Sequence, residues 1–107
     1  NNLGNLYRFQ NRLDEARQAY EGALKIRRDL VKKNPETYLP GLAVTLTMLG
    51  TVDSQRNRPD AARQALEEAR RILEELSKRD QNYVKILAKV KEDLDGLPKP
   101  SPLPDHP

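Results

Sequence analysis

The chain has 107 residues, and 52 of them are Ala, Glu, Lys, Leu or Arg, the composition expected of long helices or helical repeats. The net charge is +3, but basic and acidic residues are interleaved, so the excess is only weak evidence for a nucleic-acid partner. The absence of cysteine excludes disulfides, thiol catalysis and zinc thiolates, and no apolar run approaches the roughly 18 residues of a membrane span.

The spacing of apolar residues predicts five helices and no sheet. These helices cover, in chain order, about residues 2–10, 13–33, 39–56, 59–78 and 81–94. We expect tight turns at Asn11 and Asn57, because asparagine tolerates the left-handed backbone conformation. Pro59 falls in the first turn of the fourth helix, where its missing N–H costs little. Asp80 and Gly96 are the predicted N-cap and stop of the fifth helix.

The third and fourth helices have apolar faces that should form the core. The fifth helix adds an apolar stripe on one side and has a charged face on the other. The predicted inward residues are Leu42, Leu46, Leu49, Ala62, Ala65, Leu66, Ala69, Ile72, Leu73, Leu76, Tyr83, Ile86, Leu87, Val90 and Leu94. The last segment, residues 98–107, contains five prolines and is predicted to be a disordered tail beyond a helical domain of residues 1–97.

The chain also repeats itself at an offset of 46 residues, with 13 identities over the 28 positions that compare 3–30 with 49–76. Glycine inside a helix costs about 1 kcal/mol relative to alanine, so Gly4 and Gly50 need a structural reason. We expect close helix contact, since each glycine is followed by alanines spaced three and four apart. These are Ala16, Ala19 and Ala23 in copy one, and Ala62, Ala65 and Ala69 in copy two.

The segment "LGNLY" followed by Ala16 and Tyr20 resembles the tetratricopeptide repeat signature, L-G-x-x-Y then A-x-x-x-F. The 46-residue period is similar to the long-period arrays of the kinesin-light-chain kind and to bacterial repeats with "NP…YLP…LA". Copy two departs from the pattern, with Asp53 in place of Tyr7 and Leu66 in place of Tyr20.

The resemblance implies an all-α solenoid of two helix-turn-helix repeats closed by a capping helix, stacked in right-handed layers. Repeat one would span residues 1–36, repeat two residues 37–79, and the capping helix residues 80–96. Copy one lacks the "YLPGLAVTLTM" that precedes Leu49 in copy two, so we expect further repeats before it in the parent chain.

Asp53 follows the stripe of Leu42, Leu46 and Leu49 by helical spacing. If it were buried, it would need a partner, and Arg56 or Arg70 could supply one. Because buried aspartate is rare, we favour a position at a partly wet edge of the core.

No group of residues points to catalysis. His106 is alone in the tail, which gives no triad and no metal site. The pairs Glu67-Glu68 and Glu74-Glu75 point to different sides of a helix and are interpreted as solvated, and no Gly-rich phosphate loop is present. The basic segment 25–33 is interpreted as a solvated helix end rather than a phosphate-binding surface, and the PxxP at 104–107 as a chance match. We therefore predict no enzyme, cofactor or metal.

The resemblance implies a concave face, formed by the first helix of each repeat, that holds an extended peptide. The residues implied are Asn1, Asn5, Arg8, Phe9, Thr47, Thr51, Ser54 and Gln55. Asn5 matches the family's asparagine that bonds a peptide backbone, whereas the lysines of a carboxylate clamp are missing, with Asn1, Thr47 and Met48 at their positions.

We predict a non-catalytic, cytoplasmic module for protein–protein interaction or scaffolding, with no nucleic-acid or membrane partner. The alternative is self-association into a homo-oligomer by packing or domain swapping of the N-terminal repeat edge, where Leu3, Leu6 and Tyr7 lack a covering repeat.

Overall fold

The computed structural model describes residues 2–98, with side chains from Phe9 onward. Its helices are α1 (Asn2–Lys33), α2 (Pro35–Gln55), α3 (Pro59–Arg79) and α4 (Val84–Asp95), with a 3₁₀ turn at Gln81–Tyr83. No strand occurs between residues 2 and 98, so the predicted all-α class is confirmed. Beyond Pro98, the predicted tail lies outside the described residues.

α1 is a single helix of 32 residues where the sequence predicted two, so the turn expected at Asn11 is wrong. The physical reason lies two positions further on, where copy one has Leu13 and copy two has Pro59. Proline disfavours the helical conformation in the residue before it, so copy two must break there. Leu13 imposes no such restriction, and the chain stays helical from residue 2 to residue 33.

The turn predicted at Asn57 is confirmed. Asn57 has a φ of 61°, the left-handed conformation that asparagine tolerates better than most residues. The N–H of Arg58 donates to the carbonyl of Asp53 over 2.9 Å and closes the turn. α3 then begins at Pro59 and runs back along α2.

Two other elements begin at an N-cap whose side chain accepts a backbone hydrogen bond. The Asn34 side chain accepts the N–H of Thr37 over 3.2 Å, so α2 begins at Pro35, four residues before the predicted start at residue 39. The Asp80 side chain accepts the N–H of Asn82 over 2.9 Å and starts the 3₁₀ turn that leads into α4. Asp80 is therefore a cap as predicted, and α4 ends next to Gly96.

The core lies between α2, α3 and α4, while α1 packs along α2. The largest fully buried side chains of the protein are Leu46, Leu66, Leu73, Val90 and Asp53. The predicted stripe of α2 is confirmed, and in α3 Ala62, Ala65 and Ala69 are buried as well. A Cβ on Gly50 would lie 2.6 Å from Cγ of Leu66, which confirms the close helix contact predicted there. The same contact predicted in copy one is wrong, because Gly4 lies on the same continuous helix as Ala16, Ala19 and Ala23, and Ala19 is exposed.

The expectation that Asp53 lies at a wet edge is wrong, because this side chain is only 1% exposed. Its Oδ1 accepts Nε–H of Arg17 over 3.0 Å and Nη1–H of Arg56 over 3.1 Å. Arg56 was one of the two partners considered, whereas the other, Arg70, pairs within α3 instead. Arg56 also donates from Nε to Oδ1 of Asp14 over 2.8 Å. Through its ion pairs with these two arginines, the buried Asp53 links α1 to α2.

Candidate functional site

An open cavity of about 530 Å³ lies where the C-terminal halves of α2 and α4 face each other across α3. The residues that line it are Gly50, Thr51, Ser54, Gln55, Leu66, Lys89, Glu92, Asp93, Gly96 and Leu97. One wall is therefore uncharged and polar, and the other is charged. Leu97, which follows α4, contributes apolar surface, while Leu66 of α3 lies buried beneath the cavity.

The uncharged wall consists of predicted residues. Thr51, Ser54 and Gln55 were three of the eight residues assigned to the concave face, and the structure brings them together. The Thr51 hydroxyl donates to the carbonyl of Thr47 over 3.0 Å, which leaves its oxygen lone pairs as acceptors. Within residues 9–98, neither Ser54 nor Gln55 has a side-chain hydrogen bond. This wall can accept hydrogen bonds and, from Ser54 and Gln55, also donate them.

Thr47 lies one turn earlier on the same side of α2 but does not line the cavity. Its hydroxyl donates to the carbonyl of Ala43 over 2.8 Å, the same internal bond that Thr51 makes.

The charged wall, formed by α4, was missed by the sequence analysis. Lys89 and Glu92 belong to the outer face of the fifth helix that was interpreted as the charged side of a capping helix, and Asp93 had no predicted role. Nζ of Lys89 donates to Oδ1 of Asp93 over 2.9 Å, and this bond holds the pKa of Lys89 above its ordinary value. One sequence feature could have indicated this wall. Lys85, Lys89, Glu92 and Gly96 are spaced three and four residues apart, which places them on one side of the helix.

The chain that leaves α4 is fixed beside this cavity. Leu97 lines it, and Nη2 of Arg63 in α3 donates to the carbonyl of Pro98 over 2.6 Å. The end of α4 is thereby held against the first half of α3.

A second cavity of about 410 Å³ lies between the start of α2, the end of α3 and the 3₁₀ turn that precedes α4. Its lining residues are Pro35, Glu36, Leu39, Pro40, Leu76, Arg79, Asp80 and Tyr83. Nη1 of Arg79 donates to Oε1 of Glu36 across it, over 3.0 Å. This cavity combines prolines, leucines and one aromatic ring with an exposed ion pair.

The two cavities border the same side of α2, where Glu36, Pro40, Thr47, Gly50 and Ser54 follow one another by helical spacing. Ala43, between the two cavities on this side, is fully buried. From Glu36 to Ser54 the helix rises about 27 Å, at 1.5 Å per residue. We call this side of α2, together with the two cavities and the facing side of α4, the α2–α4 groove.

The remaining predicted residues do not join this groove. Phe9 is 50% exposed and borders a separate cavity of about 310 Å³ at the turn between α2 and α3. Gln55 lines that cavity too and is the one predicted residue that links Phe9 to the groove. Asn1 lies outside the described residues, and the side chains of Asn5 and Arg8 are likewise outside them.

Among the described residues, no group of three or more carboxylate or imidazole side chains is arranged to hold a metal ion. Within the same part of the chain, no helix has the length and apolar character needed to cross a membrane.

Comparison with known protein families identifies a repeat family. The family model of the tetratricopeptide repeat matches residues 1–75, more than two thirds of the chain. No curated protein and no solved structure matches the chain.

Proposed function

The chain belongs to the tetratricopeptide repeat family, and on that premise we propose that its α2–α4 groove binds an extended peptide segment of a protein partner. Repeats of this family generally mediate protein–protein interaction and are generally non-catalytic. Stacked helical repeats do so through concave surfaces that their curvature creates. The observation that carries the proposal is the cavity of about 530 Å³, in which Thr51, Ser54 and Gln55 face Lys89 and Asp93.

The chemistry of the two walls suits a peptide backbone. An extended peptide presents N–H and C=O groups at regular intervals, and these need partners when water is displaced. The oxygen of Thr51 offers acceptors, and Ser54 and Gln55 offer both donors and acceptors. Leu97, which is partly buried, provides apolar surface for one side chain of the peptide.

The length of the groove sets the size of the ligand. A run of about 27 Å matches roughly eight residues of extended chain at 3.3 Å each. A peptide of that length would reach from the cavity at Ser54 to the second cavity at Glu36. The charged groups at the two ends, Lys89 and Asp93 at one and Arg79 at the other, would select its flanking residues.

The finer assignments are part of the same proposal. We assign the repeats to residues 1–36 and 37–79, and the period of 46 supports the long-period type. In this assignment α4, within residues 80–96, contributes a wall to the binding surface as well as closing the stack. Asn1, Asn5, Arg8 and Phe9 remain predicted contacts of copy one.

A random 12-residue peptide display library tests the proposal. We expect enriched peptides that bind the wild-type chain and lose affinity by at least tenfold, about 1.4 kcal/mol, when Thr51→Arg fills the cavity. Lys89→Glu should change which flanking residues are selected, because it reverses one charge of the wall. Fluorescence anisotropy with the enriched peptides measures both effects.

Lys91→Glu is the matched control, since it makes the same charge change on an exposed side of α4 away from the groove. Peptides that bind wild type, Thr51→Arg and Lys89→Glu equally would place the binding surface elsewhere. A library that yields no binder at all would also refute the peptide-binding role of this groove.

A further inference from the structure

The repeated sequence of α1 is exposed where its counterpart in α3 is covered. Ala65 and Ala69 are 7% and 0% exposed, beneath α2. Their equivalents Ala19 and Ala23 are exposed and half-buried, respectively. Ile26, a large apolar residue, is 63% exposed, whereas its equivalent in α3 is packed against the core. Among residues 2–98, the same sequence thus has a covering helix in copy two and none in copy one.

The exposed surface continues onto α2. Val44 and Met48 are 43% and 44% exposed. Arg17 of α1 and Leu46 of α2 border a cavity that α3 also lines, so these two residues mark the side of the α1–α2 pair that faces α3. Four apolar residues, Ala19, Ile26, Val44 and Met48, therefore lie on the side of the pair away from α3. We call these four residues the open face.

Copy two shows which sequence covers such a face. There, the segment that contains Leu49-Gly50 reverses at Asn57 and packs onto the alanines that follow it. Copy one has the same Leu3-Gly4 sequence before the same Asn11-Arg12. In copy one, however, residues 2–10 continue straight along α1 and lead away from their own alanines. A straight helix cannot cover its own side, so this segment is available to another molecule.

We propose that two copies of this chain pair through α1, with residues 2–10 of each copy covering the open face of the other. The arrangement is a reciprocal exchange with twofold symmetry, which is the commonest form of homodimer. The helices run antiparallel, as α2 and α3 do within copy two. The small side chains of Ala16, Ala19 and Ala23 allow the two α1 backbones to approach closely. This inference does not depend on peptide binding in the groove.

The symmetry of the exchange applies the same contact twice. Each exchanged segment contains Leu3, Leu6 and Tyr7, whose equivalents in copy two are buried. Specific interfaces bury roughly 1,200–2,000 Å² in total, and we expect the doubled contact to reach that range.

Sedimentation velocity between 1 and 100 μM measures the oligomeric state. We expect a concentration-dependent dimer for the wild-type chain. Ala19→Glu should weaken it at least tenfold, because a charge would enter the interface. Ala88→Glu, the same change at an exposed alanine of α4, should leave it intact. Circular dichroism confirms that both variants stay helical, as expected for exposed positions. A wild-type monomer at 100 μM, or a dimer that Ala19→Glu does not affect, overturns the proposal.

Disulfide trapping distinguishes exchange between copies from a segment that folds back on its own chain. In copy two, Gly50 contacts Leu66, so the equivalent pair is Gly4→Cys with Tyr20→Cys in a chain without native cysteine. Along a straight α1 these positions are about 24 Å apart, too far for an intramolecular bond. Oxidation should therefore give a covalent dimer with both bridges, which neither single-cysteine variant forms. A covalently closed monomer refutes the exchange.

Discussion

Replacing Gly50 and Gly22 by alanine, one at a time, separates the cost of helix contact from the intrinsic helix preference of the two residues. Both glycines lie inside long helices. A Cβ on Gly22 would meet no atom within 4 Å, whereas on Gly50 it would lie 2.6 Å from Cγ of Leu66 and 3.3 Å from the carbonyl oxygen of Ala62. The two substitutions are chemically identical, and only the surroundings differ.

The expected magnitudes have opposite signs. Alanine is favoured over glycine by about 1 kcal/mol in a helix interior, and Gly22→Ala should raise the free energy of unfolding by most of that amount. At Gly50 the same gain is opposed by overpacking, which costs about 1–3 kcal/mol. Leu66 is 1% exposed and the Ala62 oxygen belongs to the backbone, so relief requires α2 and α3 to separate. We therefore take the upper value and expect a net loss of about 2 kcal/mol.

Urea denaturation followed by circular dichroism at 222 nm measures both changes at one fixed protein concentration. Thermal melts should agree, because 1 kcal/mol shifts the midpoint of a domain of this size by about 4–8 °C. A Gly50→Ala variant at least as stable as wild type would refute the close packing of α2 on α3. If Gly22→Ala were also destabilising, the assumption of open space around that position would be wrong.

Three further predictions concern stability and use the same denaturation assay. Asp53→Ala should cost about 2 kcal/mol, because it removes the two charge-assisted hydrogen bonds that Arg17 and Arg56 donate to this buried carboxylate. A loss below about 1 kcal/mol would mean that the carboxylate does not link α1 to α2. Asn57→Ala should lower the free energy of unfolding by about 1 kcal/mol, because alanine tolerates the φ of 61° less well than asparagine. Asn57→Gly should change it very little, because glycine adopts this conformation freely. Equal stability of the two variants would contradict this reasoning. Arg28 donates two hydrogen bonds to Glu68 and lowers the pKa of that carboxyl below its ordinary value. The resulting stability is present above the unfolded pKa of about 4.3 and is lost as pH falls through the lower folded value. Wild type and Glu68→Gln should therefore differ at pH 7 by less than about 1 kcal/mol and converge at pH 3; a difference that grows in acid would reverse the sign of this argument.

The candidate site was only partly predictable from the sequence. Thr51, Ser54 and Gln55 could be assigned because they lie on one helix at regular spacing, and periodicity is a local property. The charged wall with Lys89 and Asp93 could not, since solvated and groove-lining charges have the same pattern along a helix. Which of the two applies depends on where α4 lies against α3.

The sequence by itself determined the helices α2, α3 and α4, the buried leucines of α2 and the turn at Asn57, because each depends on neighbours within a few positions. It also contained the reason why copy one does not turn, which is the exchange of Pro59 for Leu13, although the repeat suggested otherwise. Only the tertiary structure decided that Asp53 is buried. Its partner Arg17 is 36 residues away, and their meeting depends on the register of two packed helices, which no local pattern encodes.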